Sequence, residues 1–341
     1  MSETAARKRQ QSHARGVVGE ICDEVLARQR FLLTSHARPD GDSIGSQLAM
    51  AYALDALGKD VRILNADPAP DHYREFPGLD RIEIASTAAG VDADALIVME
   101  CSDLGRTGVA GLEGRFIINI DHHVGNRMYG ALNWFDESAA ACGEMVFEVI
   151  QALRVPLTYE IATHIYLAIL TDTGSFHHSN ITPRTFDICR QAVEAGVNPA
   201  AMARGVFDSN SFGKLKLIGA LLDAMELADE GRLAVLDMDD AMLAACGCTY
   251  NDTEGVINLP LTAREIQAVV FFKVASNGDV RVSMRSKYDV DVRLVANGFG
   301  GGGHKNAAGF TVPGPIEAVR GPILDRLVEA IAHGLQTRPV P

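Results

Sequence analysis

Four short apolar runs, Phe31 to Thr34, Val61 to Leu64, Ala95 to Met99 and Phe116 to Ile120, recur through the first part of this chain. Each is too short to be a helix, and Ile, Val, Leu and Phe dominate them, as in strands buried on both faces. Stretches with helical spacing fall between and after them. Ser46 to Leu57 is closed by Gly58, and Glu144 to Leu153 and Glu160 to Leu170 follow. Strands alternating with helices need crossover connections, and those bring the strands together in parallel. The first part is therefore α/β, a doubly wound and mostly parallel sheet.

The last third changes character. Arg232 to Met238, Glu265 to Val274 and Asp279 to Ser286 read as strands, the last two joined by the turn Ser276-Asn277-Gly278-Asp279. A glycine run from Gly298 to Gly303 and a helical stretch from Ile316 to Gly334 complete it. The expected organisation is a sheet domain over 16–195, a helical connector over 196–226 and a smaller α+β domain over 227–341.

Composition narrows the function. Thirty-one Lys and Arg stand against 44 Asp and Glu, a net charge of −13. That balance excludes a basic coat for duplex DNA but leaves room for one local basic pocket. No apolar run approaches the roughly 18–20 residues that cross a bilayer. Met1 to Arg15 is polar, without the apolar core of a signal peptide. Six scattered cysteines, mostly in apolar settings, suit reduced thiols in a cytoplasm. Cys246-Gly-Cys248 could ligate a metal, but no second Cys/His pair accompanies it.

Candidate chemistry gathers where the apolar runs end. His36, Asp40 and Asp42 lie in Ser35-His36-Ala37-Arg38-Pro39-Asp40-Gly41-Asp42, directly after the first run. In open α/β sheets that carboxyl edge is where ligands bind. An imidazole with two carboxylates suits Mn²⁺ or a similar divalent ion. Asp-Gly-Asp turns are also common without any ion, and one Asp can simply cap the helix at Ser43. Recurrence separates the two readings. Glu100-Cys101-Ser102-Asp103 follows the third run, Asp121-His122-His123 the fourth, and Thr171-Asp172-Thr173 the helical stretch that ends near Leu170, all at expected loop positions. Carboxylates so close together repel one another, and divalent cations supply the missing charge. Two such ions could activate a water and clamp a phosphoryl group.

The Asp121-His122-His123 triplet, the His36/Asp40/Asp42 turn and the run Gly300-Gly301-Gly302-Gly303-His304 resemble the DHH–DHHA1 phosphoesterases. Within that family the chain is similar to the stand-alone oligoribonuclease and 3′-phosphoadenosine-5′-phosphate (pAp) phosphatase type. The resemblance runs from about Gln29 to the final helix. It implies that His36 and Asp40 hold one Mn²⁺, that Asp42, His122 and Asp172 hold a second, and that Glu100 bridges them. Mg²⁺ or another divalent ion is the alternative metal. It further implies that Asp121 orients an imidazole and that His123 faces the substrate phosphate as donor or acid. Arg285, within Ser283-Met284-Arg285-Ser286, and Gly301, Gly302, Gly303 and His304 would grip the substrate. Glu100 departs from the family's usual Asp, with Asp103 as the alternative ligand.

The active site then lies in the cleft between a DHH and a DHHA1 domain. Expected substrates are short single-stranded RNA, linear dinucleotides and pAp, with no duplex DNA, no membrane and a cytoplasmic homodimer. A soluble cyclic-dinucleotide phosphodiesterase and a non-catalytic nucleotide-binding regulator are the alternatives. Against a DHH–DHHA2 pyrophosphatase stands the glycine stretch ending at His304, and a RecJ-like exonuclease needs a further nucleic-acid-binding domain. Other residues carry plainer readings. Arg106 and Asp103 can form a local salt bridge, Glu144 and His164 belong to helix packing or capping, and Cys101 belongs to the core. His177 and His178 are loop residues near Asp172. Arg281, Lys287, Arg293 and Lys305 give a local positive excess that reads either as a solvated sheet face or, beside Arg285 and favoured here, as a strip that receives phosphates.

Overall fold

In the computed structural model, which describes residues 16–208, 210–253, 255–274 and 278–336, the apolar runs become neighbouring strands. The chain divides between residues 209 and 210 into two units, inside the stretch read as a connector. The first unit opens with α1 over 16–27 and contains β1 (Arg30–Thr34), β2 (Asp60–Asn65), β3 (Ile82–Ile84), β4 (Ala95–Met99), β5 (Ile117–Asp121) and β6 (Leu132–Phe135). These pair in the order β3-β2-β1-β4-β5-β6, every pairing parallel. The chain leaves β1 on one side and resumes on the other at β4, so the order reverses between those two strands. That switch point opens a crevice at their carboxyl ends.

Four helices follow the sheet's logic: α2 (Gly41–Ala56), α3 (Cys142–Ala152), α4 (Tyr159–Asp172) and α5 (Pro183–Glu194); α6 (Pro199–Phe207) closes the unit. The sheet carries apolar clusters on both faces, the larger one shared with α2, α3 and α4. Missing side chains let these helices approach. A Cβ on Gly45 would lie 2.5 Å from the His164 carbonyl oxygen, and one on Gly143 would lie 2.4 Å from the Ala168 Cβ. The sequence reading starts the first of these helices at Ser46. The helix starts at Gly41 instead, because the Asp40 side chain accepts from the Ser43 amide and caps it.

The second unit comprises α7 (Phe212–Asp223), β7 (Glu226–Ala228), β8 (Leu233–Met238), α8 (Asp240–Cys246), β9 (Ala268–Val274), β10 (Val280–Ser286), α9 (Val292–Asn297), β11 (Gly302–His304), β12 (Ala307–Val312) and α10 (Ile316–Gln336). Its sheet runs β11-β12-β10-β9-β8-β7. Strand β9 shows the two-residue period. Ala268, Val270 and Phe272 join a core with α9 and α10, while Val269 and Phe271 join one with α7. Strands β9 and β10 pair antiparallel, as expected, but Ser276 and Asn277 of the turn between them lie outside the described residues. Among the described residues, no helix is long and apolar enough to cross a membrane.

Candidate metal centre

The carboxyl ends of β1, β4 and β5, with the facing ends of α2 and α4, collect the expected residues. His36 leaves β1 and turns back, its Nε2 2.8 Å from Ser43 Oγ and 3.7 Å from Asp40 Oδ2. Asp42, in the first turn of α2, is buried. Its Oδ2 accepts from the Cys142 amide at 2.6 Å, and its Oδ1 from the Gly143 amide and the Ser46 hydroxyl at 2.9 Å each. A helix N-terminus thus holds an anion. Glu100 follows β4 with φ +57, a left-handed backbone that turns its side chain inward.

His122 follows β5. Its Nδ1 is 3.0 Å from the Ala139 carbonyl, which leaves Nε2 toward the acids. That atom lies 3.3 Å from Glu100, 3.6 Å from Asp172 and 3.8 Å from Asp42. His123 places Nδ1 2.9 Å from Asp121 Oδ1, and Asn126 donates to the other Asp121 oxygen at 2.6 Å. Three placements differ from the sequence reading: Asp42 lies in the first turn of α2, Asp121 is the last residue of its strand and Asp172 the last of its helix, not loop residues.

Electrostatics shows what the cluster lacks. Burial and the neighbouring Asp42 push the Glu100 carboxyl well above the usual carboxylate range. Burial and Asp42 likewise push Asp172 up to about 7. Burial opposes a charged His122 ring, yet Glu100 and the other acids outweigh it and raise its pKa to about 11. Glu100 Oε2 is buried and makes no well-aligned hydrogen bond. The group calls for positive charge, and its nitrogen and oxygen donors fit a divalent cation. Potential ligand atoms fall into three sets within 4.8 Å: Asp42, Glu100, His122 and Asp172; His36, Asp40 and Glu100; and Glu100, His122 and His123. Glu100 belongs to all three. Asp103 belongs to none of them: it caps Gly105 and pairs with Arg127 at 2.7 Å. The expected Arg106–Asp103 bridge is therefore replaced, and Arg106 donates to Ser102 Oγ instead.

The second unit carries the expected grip residues on β10, on β11 and, for Gly301, directly before β11. Arg281, Ser283, Arg285 and Gly302 line a cavity of about 450 Å³. The Arg285 guanidinium donates to the Met284 carbonyl at 3.0 Å and forms no ion pair with a described residue, and burial lowers its pKa. Such a cation suits an anionic ligand. The glycines divide by role. A Cβ on Gly301 would lie 2.4 Å from the Gly309 carbonyl oxygen and one on Gly303 2.4 Å from that of Ala307, so strand packing requires both. A Cβ on Gly302 would have only Asn297 nearby, at 4.0 Å. The His304 backbone ends β11, while its side chain lies outside what is described. Cys246 ends α8 and Gly247 caps it with φ 66; neither Cys246 nor Cys248 joins a metal-capable group among the described residues.

Sequence reasoning missed the groups that set these positions: the Ala139 carbonyl, the Cys142 and Gly143 amides and Asn126. Backbone donors and acceptors exist at nearly every residue, so residue type carries no signal for the first three.

Residues 30–169 match the DHH family, N-terminal domain, and residues 239–333 match the DHHA1 domain. The chain is 34% identical over 284 residues to the bifunctional oligoribonuclease and PAP phosphatase NrnA of Thermus thermophilus, covering 83% of this chain and 84% of that protein. The Bacillus subtilis protein of the same name is 25% identical over 307 residues, covering 88% and 95%. In fold, the chain is similar to the crystal structure of an exopolyphosphatase-related protein from Bacteroides fragilis. The TM-score is 0.85 at 23% identity, over 92% of this chain and 96% of that one.

Proposed function

This chain belongs to the DHH family and carries a DHHA1 domain, and on that basis we propose that it hydrolyses short oligoribonucleotides and linear dinucleotides to mononucleotides, and pAp to AMP and phosphate. It is a hydrolase of phosphoric esters, with a cluster able to hold the divalent metal such enzymes depend on. That the metal is a pair of Mn²⁺ ions is part of our reading. The observation that carries it is Glu100, a buried carboxylate common to every ligand set and short of a hydrogen-bond partner.

In this reading His36 and Asp40 would hold one ion, Asp42, His122 and Asp172 would hold the other, and Glu100 would serve both. Bound divalent cations supply charge neutralisation at a phosphoryl group. The protein's own groups do the rest. Asp121 fixes the His123 ring through Nδ1, so Nε2 is the atom that would hold a proton against a phosphate oxygen. Ala139 and the α3 amides keep His122 and Asp42 from rotating away. Arg285 would hold a substrate phosphate through its fork. A net charge of −13 favours short substrates over duplex DNA. A homodimer at work in the cytoplasm belongs to the same reading.

Product analysis with Mn²⁺ on a dinucleotide, a pentanucleotide, a cyclic dinucleotide, pyrophosphate and pAp tests it. Mononucleotides from the linear substrates and AMP from pAp are expected. Hydrolysis confined to pyrophosphate or to the cyclic dinucleotide would contradict it.

A further inference from the structure

The connection from α4 and the first turn of α5 each carry a polar residue that touches no candidate ligand side chain, and together they reach the backbone holding three of them. Arg184 lies 3.1 Å from Asp136, 3.2 Å from Glu144 and 3.1 Å from Glu148 through its guanidinium nitrogens. Asp136 opens the β6–α3 loop, and Glu144 sits fully buried in the first turn of α3. Arg184 donates to Asp136 at one end of the segment 136–144 and, without an aligned hydrogen bond, sets its charge beside Glu144 at the other. Asn180 pins its middle: its Nδ2 donates to the Ala140 carbonyl at 2.9 Å and to the Asp172 carbonyl at 3.3 Å.

Between those pins lie three backbone groups that hold candidate ligands. The Ala139 carbonyl fixes His122, and the Cys142 and Gly143 amides fix Asp42. Asn180 ties the same segment to the residue that ends α4, Asp172. We propose that Asn180 and Arg184 are positioning residues, a clamp outside the ligand shell that sets metal affinity by holding residues 136–143 against His122, Asp42 and Asp172. The inference rests on the metal reading above. Loss of groups that orient ligands typically weakens metal binding by about 10–100-fold.

Arg184 also offsets the buried charge of Glu144, so a plain stability role must be separated from positioning. The test is Mn²⁺ titration by calorimetry, with thermal unfolding, of the full-length metal-free protein and three variants. Arg184→Ala should weaken Mn²⁺ binding about tenfold or more and lower the unfolding temperature. Arg184→Ala/Glu144→Gln removes the fully buried Glu144 charge; it should recover part of the lost unfolding temperature while Mn²⁺ binding stays weak, because Asp136 is still unpinned. Asn180→Ala, which leaves no buried charge behind, should weaken Mn²⁺ binding with little loss of stability. Wild-type affinity in the double variant would overturn the clamp and leave Arg184 as a counter-charge for Glu144. Wild-type affinity in Asn180→Ala would overturn the part given to Asn180. A wild-type protein that takes up no Mn²⁺ would overturn the metal reading and the clamp with it.

Discussion

Glu100 combines three conditions that seldom coincide in one residue: full burial, a left-handed φ of +57, and membership of every ligand set. A non-glycine side chain in that region costs on the order of 1 kcal/mol, a cost that persists where function fixes the geometry. Two cations can share Glu100 only while it is anionic. Glu100→Gln should therefore weaken both ions and lower kcat on the order of 10²-fold or more. Glu100→Asp keeps the charge, shortens the reach, and should retain metal with an altered rate or metal preference. Asp103→Asn, which removes a cap and a surface ion pair, should be milder. Metal stoichiometry and kcat for the three decide; an active two-metal Glu100→Gln beside a metal-free Asp103→Asn would reverse the assignment. His164 poses a different residue-scale question. It is buried on α4 and stacks on Tyr52 with ring centroids 5.7 Å apart. Burial pushes its pKa down from 6.5 to about 4, with the Pro77 carbonyl pulling the other way. A ring kept neutral in the folded state contributes stability above pH 6.5, and that contribution is lost as pH falls toward 4, amounting to about 3 kcal/mol. In chelator, the stability gap between wild type and His164→Gln should narrow across that window. A gap independent of pH would contradict it.

Elements decide whether these residues meet at all. Asp42 lies in the first turn of α2 and Asp172 ends α4, so the closeness of the two helices sets their separation. Gly45 permits that closeness, since its absent Cβ would meet the His164 carbonyl. Gly45→Ala should cost about 1–3 kcal/mol by overpacking and weaken Mn²⁺ binding as well. Denaturant unfolding and metal titration check both, and an unchanged affinity would show that the helix spacing does not govern the site. The strands that carry the centre were legible because buried parallel strands read as unbroken apolar runs, β4 above all. Helix ends were less so: Gly41 and Asp42 look like a turn until the Asp40 cap is seen. Strand β6 escaped because Leu132-Asn133-Trp134-Phe135 is short and interrupted by a polar residue. Strands β11 and β12 escaped because Gly and Ala have little strand preference of their own, and pairing with β10 supplies it. The candidate ligands were legible as a recurrence at run ends, whereas the carbonyl and amides that hold them had no residue type to betray them.

At the scale of the whole molecule the chemistry is divided. All candidate ligands lie in the first unit, and Arg285, which forms no ion pair with a described residue, lies in the second. Arg285→Ala should raise KM for dinucleotides with metal content unchanged. Loss of a charged hydrogen bond costs about 1.5–3 kcal/mol, which is roughly tenfold or more. Steady-state kinetics beside metal analysis reads both quantities, and loss of metal would move Arg285 into the centre itself. The most direct measurement is dinucleotide hydrolysis during stepwise Mn²⁺ addition to protein stripped of metal by chelator. Hydrolysis should be absent at the start and return as two ions bind per chain. Full activity in excess chelator, with metal removal confirmed, would contradict a metal-dependent phosphoesterase built on this cluster.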